Sequence, residues 1–234
     1  MCTVSFIYTN GTAIVTSNRD EKVLRPRAIP PQEYIINNKK IVFPKDPHAG
    51  GTWYAVAHDG TIIVLLNGAE EKHQLKESYR KSRGLIVLDV ISSDSAIEEW
   101  KKIDLHGIEP FTLVVFQSGE LFQLRWNEIE KQTVLLDPKE NHIWSSSTLY
   151  SKDIRDQRKL WFNNFIEVNQ ELDSQKMVYF HTNTNAENTE NGLVINRNDL
   201  LKTLSVTQTV VENNNIKISY LDLQTQKQTV LVIK

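Results

Sequence analysis

The second residue of the chain, Cys2, is the only cysteine in the sequence and is suited to nucleophilic chemistry. Initiator methionine is generally removed when the next residue is small, and its removal would leave Cys2 with a free α-amino group. That residue would then carry a thiol of unperturbed pKa about 8.5 beside an amine of pKa about 7.7–8.0, so the amine could accept the thiol proton. A cysteine here is also typical of a small apolar residue that opens a strand, and position alone does not decide between the two.

Polar residues that could assist such a thiol occur at two predicted strand ends. Arg19 and Asp20 follow the second predicted strand, and Asn67 ends a later one. A guanidinium near a thiol favours the thiolate, a carboxylate can orient an α-ammonium group, and an amide N–H can stabilise a tetrahedral oxyanion. Asn67-Gly68 is also consistent with a simple turn, and the neighbours Asn18 and Glu21 with a turn cap and a solvated charge. Gly50-Gly51-Thr52-Trp53 is either a tight turn into a strand or a place where backbone approaches Cys2 or a ligand.

Three segments, in family order, resemble the NRDE family, which includes the transport and Golgi organisation protein of eukaryotes. They are Cys2 at a strand start, the tetrapeptide Asn18-Arg19-Asp20-Glu21 that gives the family its name, and Ala49-Gly50-Gly51-Thr52-Trp53. The match continues with Arg25-Pro26, Leu66-Asn67 and Ser82-Arg83-Gly84-Leu85. This family looks like a branch of the N-terminal-nucleophile hydrolases. The resemblance therefore implies an α+β fold, a four-layer αββα sandwich with largely antiparallel sheets.

The resemblance also implies roles for individual residues. The bile-salt hydrolase and penicillin V acylase branch begins with the same Met-Cys-Thr, which makes Cys2 the nucleophile. Arg19 and Asp20 are then candidates for the charged pair beside the thiol and its amine, and Asn67 for holding the oxyanion or the amine. The substrate-binding candidates are Asn18, Gly51, Thr52, Trp53 and Ser146. Ser146 stands where the family usually has asparagine, and Leu204 stands where it has arginine.

Two functions are consistent with these residues. The first is a cysteine N-terminal-nucleophile hydrolase that cleaves a carbon–nitrogen bond, a linear amide of a small or acylated molecule, through a Cys2 acyl-enzyme. The second, which the changes at Ser146 and Leu204 motivate, is a catalytically inactive member that binds or carries a small lipid-like or haem-like ligand. We expect no cofactor for the hydrolase. The six histidines show no metal-ligand spacing, so we expect no metal site.

The composition predicts a single domain over residues 1–234. Hydrophobic residues make up 40% and charged residues 24%, and the formal net charge of −2 gives no general electrostatic reason to bind nucleic acid or an anionic membrane. No stretch approaches the roughly 18 consecutive apolar residues of a membrane helix, and the N-terminus lacks a signal-peptide pattern. We therefore expect a soluble, cytoplasmic protein whose partner is a small molecule.

Hydrophobic periodicity and turn residues predict the elements that position these side chains. Asn10-Gly11 predicts a β-hairpin, and Ser82 predicts a helix start after a loop over residues 68–81. Residues 25–31 contain three prolines and are expected to be irregular, and residues 182–192 are expected to be a polar loop. Helices are expected over residues 85–90, 92–103 and 151–172. Strands are expected over residues 4–8, 13–16, 54–57, 61–66, 111–116, 121–125, 133–136, 143–145, 204–211, 216–221 and 229–233, with the four from 111 to 145 consecutive and antiparallel.

Overall fold

The computed structural model describes residues 3–169, 171–212 and 215–233, so the candidate nucleophile Cys2 lies outside the described residues. The chain divides into two compact units, one formed by Met1–Arg25 with Lys139–Lys234 and the other by Pro26–Pro138. In chain order the elements are β1 (Thr3–Thr9), β2 (Thr12–Lys22), β3 (Ile29–Ile36), β4 (Lys39–Lys45), β5 (Tyr54–Ala57), β6 (Ile62–Asn67), α1 (Arg83–Ile91), α2 (Ala96–Lys102), β7 (Phe111–Gln117), β8 (Glu120–Trp126), β9 (Lys131–Leu136), β10 (His142–Ser145), α3 (Lys152–Val168), α4 (Ser174–Asn183), β11 (Asn196–Arg197), β12 (Leu201–Glu212), β13 (Asn215–Asp222) and β14 (Lys227–Ile233).

The first unit contains an antiparallel sheet in the order β10-β1-β2-β12-β13-β14, with β11 paired to β12. Strands β1 and β2 form the hairpin that Asn10-Gly11 predicts, because both residues adopt the positive φ that such a turn requires. The pairing of β1 with β2 sets Thr3 opposite Asn18. Strand β12 has a β-bulge between Thr203 and Ser205. Bulges are common next to functional sites, since they redirect side chains.

Helices α3 and α4 pack against one face of this sheet through a small apolar core. Ile7 of β1 and Ile14 of β2 meet Phe162 of α3 and Phe180 of α4 there, and Met177 and Leu193 complete the cluster. Because strand side chains alternate between faces, the odd-numbered residues of β1 and the even-numbered residues of β2 share the face that the helices cover. Thr3, Asn18 and Asp20 therefore lie on the helix side of the sheet.

The second unit contains an antiparallel meander in the order β3-β4-β5-β6-β7-β8-β9. Helix α1 packs on β5 and β6, and its N-cap is Ser82, whose hydroxyl accepts a hydrogen bond from the backbone N–H of Gly84. This cap confirms the predicted helix start. Trp100 of α2 packs edge-on against Phe111, with its indole N–H bonded to the Thr133 hydroxyl.

The predictions for the elements differ from the structure in several places. Strands β3, β4 and β11 and helix α4 were not predicted, and β3 contains Pro30 and Pro31. Proline is tolerated there because β3 is an edge strand with a register shift between Ile29 and Gln32. Strand β10 does not continue the meander of β7 to β9, since it pairs with β1 in the other sheet.

The predicted α+β class with antiparallel sheets is confirmed, because both sheets are antiparallel and four helices accompany them. Within the described part of the chain, no helix is both long enough and apolar enough to cross a bilayer.

Candidate functional site

Thr3, the residue that follows Cys2 in the chain, is held by a fully buried arginine from α3. Arg158 has 0% exposure, and its Nη1 donates to the Thr3 hydroxyl at 2.6 Å. Its Nη2 donates to the carbonyl oxygen of Gly192 at 2.5 Å, and Nε donates to that of Asn191 at 3.2 Å. These acceptors are all neutral, so this guanidinium is stabilised by oxygen dipoles rather than by a directly bonded carboxylate.

The aromatic ring of Tyr150 links Arg158 to Asp20. The guanidinium carbon of Arg158 lies 3.5 Å from the centroid of the Tyr150 ring, which is a cation–π contact between buried groups. The Tyr150 hydroxyl donates to Oδ2 of Asp20 at 2.6 Å, and the Thr203 hydroxyl donates to Oδ1 at 2.5 Å. Both carboxylate oxygens of this buried aspartate therefore accept a hydrogen bond from a hydroxyl, which fixes the orientation of the carboxylate.

Asn18, a predicted substrate-binding residue, belongs to a second buried network. Its Oδ1 accepts a hydrogen bond from Nδ1 of His181 at 2.5 Å, and Nε2 of His181 lies 2.7 Å from the Ser5 hydroxyl, which donates to it. The Asn18 amide donates to the carbonyl oxygens of His181 and Leu193. Burial and the positive charge of Arg158 lower the pKa of His181 to about 3, so the ring is neutral at ordinary pH.

Ser5, His181 and Asn18 have the order of an acid–base triad, but their surroundings exclude that role here. All three residues are at most 1% exposed, so a substrate has no access to the serine hydroxyl. The network instead ties α4 to β1 and β2, with every polar side-chain atom of Asn18 and His181 hydrogen-bonded.

Arg19 and Asp20, predicted as a charged pair, leave β2 on opposite faces. Asp20 faces the helices, where Tyr150 bonds it, whereas Arg19 shares the other face with Glu21 at a distance of 3.7 Å between Nη2 and Oε2. The Arg19 side chain is buried, with 4% exposure. The two charged side chains therefore lie on opposite sides of the sheet, and they do not line the same pocket.

Ser146, at the position where the family usually has asparagine, is buried just before α3. Its hydroxyl hydrogen-bonds that of Thr148 at 2.9 Å, and its carbonyl oxygen accepts from the backbone N–H of Tyr150 at 3.1 Å. The turn that begins at Ser146 thus places Tyr150 against Asp20. Leu204 occupies the β-bulge between Thr203 and Ser205.

Gly51 and Thr52 lie in the second unit, where they contact the first turn of α1. A Cβ on Gly51 would come within 2.3 Å of the carbonyl carbon of Gly84, and the N–H of Thr52 donates to the Gly84 carbonyl oxygen. The Thr52 hydroxyl donates to the carbonyl oxygen of Pro44 at 2.6 Å. The close backbone approach that the paired glycines predict is therefore made by the start of α1. Trp53 is buried beside them.

Asn67 is the last residue of β6 and is partly buried, opposite Phe111 of β7. Gly68 follows with a φ of +83°, and its N–H donates to the carbonyl oxygen of Pro110 at 3.0 Å. This arrangement turns the chain sharply out of the sheet after Asn67, as the Asn-Gly sequence predicts.

The sequence predicts Asp20 and Asn18 as site residues, but it does not predict the residues that hydrogen-bond to them. Arg158, Tyr150 and Thr203 around Asp20, and His181 beside Asn18, were not predicted. No local pattern marks Arg158, because a basic residue between polar neighbours is typical of a solvated helix face. Among the described residues, no group of three or more His, Cys, Asp or Glu side chains could hold a metal ion.

Comparison with protein families supports the resemblance that the motifs suggested. The model of the family described as Transport and Golgi organisation 2 matches residues 1–234. The chain belongs to this family. No curated protein matches the chain significantly by sequence.

The solved structures that this chain resembles include two hydrolases. The Caenorhabditis elegans ortholog of N-acylethanolamine-hydrolyzing acid amidase has a TM-score of 0.63 and 11% identity, with 88% of this chain and 92% of that chain covered. A variant of conjugated bile acid hydrolase from Clostridium perfringens has a TM-score of 0.55 and 9% identity, covering 98% and 92%. At such identities the likeness shows the fold, and it confirms the predicted αββα fold of the N-terminal-nucleophile hydrolases.

Proposed function

We propose that the protein is a cysteine N-terminal-nucleophile hydrolase that cleaves a linear amide bond of a small molecule through an acyl-enzyme on Cys2. Two findings support the proposal: membership of a family whose fold is that of these hydrolases, and likeness to an amidase over 88% of the chain. We also propose that the whole chain is one functional domain and that the protein is located in the cytoplasm.

The main structural support for the proposal is the cluster of polar groups around the start of β1. Consecutive Cα atoms are about 3.8 Å apart, so Cys2 is within one residue's reach of Thr3. Thr3 is paired with Asn18, and the next two residues of β2 are Arg19 and Asp20. The buried guanidinium of Arg158 and the carboxylate of Asp20, which two hydroxyl groups orient, therefore lie beside Thr3, the residue that follows Cys2 in the chain.

In the proposed reaction the Cys2 thiolate attacks the amide carbon, and the α-amine of Cys2 takes the thiol proton. The amine then gives that proton to the departing nitrogen, which leaves as an amine and produces a thioester on Cys2. A water molecule, deprotonated by the same α-amine, attacks the thioester and releases a carboxylic acid, which regenerates the thiol. No cofactor enters these steps.

The roles of the other residues follow from their charges. Because Arg19 and Asp20 lie on opposite faces of β2, we assign them to different groups of Cys2: Arg19 favours the thiolate, and Asp20 orients the α-ammonium group through the carboxylate that Tyr150 and Thr203 hold. Asn67 stabilises the oxyanion of the tetrahedral intermediate, a contribution of about 2.7–4 kcal/mol for one donor in other acyl-transfer enzymes. The substrate-binding residues of this proposal are Gly51, Thr52, Trp53 and Ser146, whereas Asn18, whose polar side-chain atoms are all hydrogen-bonded inside the fold, supports β2 and α4 rather than the substrate.

The test compares wild-type protein with Cys2→Ala and Cys2→Ser. Each is incubated with N-acylethanolamines and bile-acid conjugates of graded acyl size, and the released amine is measured. The proposal predicts amine release by wild type, none by the alanine variant and at least a hundredfold less by the serine variant, at unchanged unfolding temperature. Release that persists in the alanine variant would overturn the mechanism.

A non-enzymatic member that binds a small lipid-like or haem-like ligand is the second candidate. The observation that favours it is that the Ser146 hydroxyl, at the expected asparagine position, is bonded to Thr148. It predicts no amine release from any substrate, together with ligand binding that Cys2→Ala leaves unchanged. Binding is measured by fluorescence titration with a fluorescent fatty-acid analogue and by absorbance titration with haem.

A further inference from the structure

We propose that Arg158 and Tyr150 are positioning residues of the N-terminal nucleophile, Arg158 by fixing the start of β1 and Tyr150 by fixing the carboxylate of Asp20. The inference rests on the proposed function, since it assigns residues that prepare Cys2 and its amine for that chemistry. Neither residue belongs to the sequence motifs of the family discussed above.

Arg158 acts on the strand end that bears the nucleophile. Its Nη1 bonds the hydroxyl of Thr3, the residue joined directly to Cys2, at 2.6 Å. The remaining donors bond the carbonyl oxygens of Asn191 and Gly192. A side chain with 0% exposure, bonded to three separate acceptors, has little freedom to move, so it fixes the place of Thr3 relative to α3.

Tyr150 connects this cation to the anion across the same face of the sheet. The Arg158 guanidinium lies 3.5 Å from the ring centroid, and the phenol hydroxyl donates to Asp20 Oδ2 at 2.6 Å. A cation over the ring withdraws electron density from it, which makes the hydroxyl a stronger donor to a carboxylate. Tyr150 therefore links the guanidinium of Arg158 to the carboxylate of Asp20 through its ring and hydroxyl rather than through a direct salt bridge.

Thr203 supplies the matching hydrogen bond to the other oxygen of Asp20. Its hydroxyl donates to Oδ1 at 2.5 Å and itself accepts from the backbone N–H of Ile195 at 2.9 Å. With a donor on each oxygen, part of the negative charge of the carboxylate is compensated and its plane is fixed. Loss of either donor leaves more uncompensated negative charge near the start of β1, which disfavours a thiolate there.

The experiment exploits the single cysteine of the chain, because any thiol alkylation reports on Cys2. Full-length protein whose intact mass shows loss of Met1 is reacted with iodoacetamide from about pH 5 to about pH 9, which spans the unperturbed thiol and amine pKa values. The rate is followed by intact mass for wild type, Tyr150→Phe and Thr203→Val. Tyr179→Phe is the matched control, since Tyr179 is exposed on α4.

Tyr150→Phe keeps the ring against Arg158 and removes only the hydroxyl, so it tests the hydrogen bond to Asp20. We expect both Asp20-directed variants to raise the thiol pKa by about one unit, which slows alkylation about tenfold below that pKa. Arg158→Lys, which keeps a positive charge but loses the set of three acceptors, should slow alkylation as well. Tyr179→Phe should match wild type.

The outcomes separate this inference from the proposed function. If wild type alkylates with a lowered thiol pKa but Tyr150→Phe and Thr203→Val give the same pH profile, Tyr150 is only structural and the inference fails while the proposed function stands. A drop in unfolding temperature without a change in profile has the same meaning. If the wild-type thiol reacts like free cysteine at every pH, the proposed function fails and takes this inference with it.

Discussion

Asn18 accepts a hydrogen bond from the ring of His181 across 2.5 Å, at a place where neither residue is exposed to solvent. Asn18 opens the tetrapeptide that gives the family its name, and its amide holds the carbonyl oxygens of His181 and Leu193 as well. The first residue of the motif therefore anchors α4 on the sheet, while the second and third residues, Arg19 and Asp20, project to the two faces of β2.

The neutral state of His181 predicts how stability depends on pH. Its folded pKa of about 3 lies below the unfolded value of 6.5, so the unfolded chain binds a proton that the folded chain does not. The contribution is fully present above about pH 6.5, and as pH falls toward about 3 the free energy of unfolding should decrease by about 1.4 kcal/mol per unit from this group. Urea unfolding at a series of pH values measures it.

Other groups titrate in this range, so the comparison needs variants. His181→Phe should be less stable at neutral pH, and its free energy of unfolding should fall less steeply with acid than that of wild type. His48→Gln, at an exposed position, should follow the wild-type curve. Parallel curves for wild type and His181→Phe would contradict the assignment of a buried neutral ring.

Replacement of Arg158 by methionine should destabilise the first unit strongly. The change leaves the Thr3 hydroxyl and the carbonyl oxygen of Gly192 without a buried donor, and it removes the contact with Tyr150. We expect a loss of about 2–4 kcal/mol in the free energy of unfolding. Lys159→Met, at the exposed neighbouring position of α3, should change it by less than about 0.5 kcal/mol. Equal effects of the two variants in chemical denaturation would contradict the role of Arg158.

The paired glycines of the second unit should tolerate substitution unequally. A Cβ on Gly51 would lie 2.3 Å from the Gly84 backbone. A Cβ on Gly50 would meet nothing within 4 Å, but residue 50 has a φ of +72°, which is unfavourable for any residue with a side chain. Gly50→Ala should therefore cost about 1–2 kcal/mol from the left-handed conformation, and Gly51→Ala clearly more, because backbone must move. Thermal unfolding of both variants measures the difference, and an equal or reversed order would refute the contact with α1.

Much of the fold follows from local sequence, because hairpin turns and helix caps are local devices. Asn10-Gly11 specifies the β1–β2 hairpin, and Ser82 specifies the start of α1. The sheet in which a strand lies is not local: nothing in the sequence around β10 shows that it pairs with β1 instead of continuing after β9. The edge position that lets β3 contain Pro30 and Pro31 is likewise a property of the assembled sheet.

The candidate site was predictable only where a motif marks it. Asn18, Arg19 and Asp20 belong to a recognisable tetrapeptide. The alternation of side chains along β2 puts Arg19 and Asp20 on opposite faces, but the sequence does not show which face each one shares with the helices. Arg158 and His181 carry charge or polarity that normally indicates solvent, and they are buried because partners far along the chain satisfy them. Sequence separation of this kind leaves no periodic signal.

Whether Cys2 acts with its own α-amine is decided by the intact mass of the protein purified from its native host. The proposed mechanism requires a chain lighter than the full 234-residue sequence by one methionine residue, with Cys2 at its amino terminus. A mass that retains Met1 would leave the thiol without an adjacent free amine and would contradict the proposed mechanism.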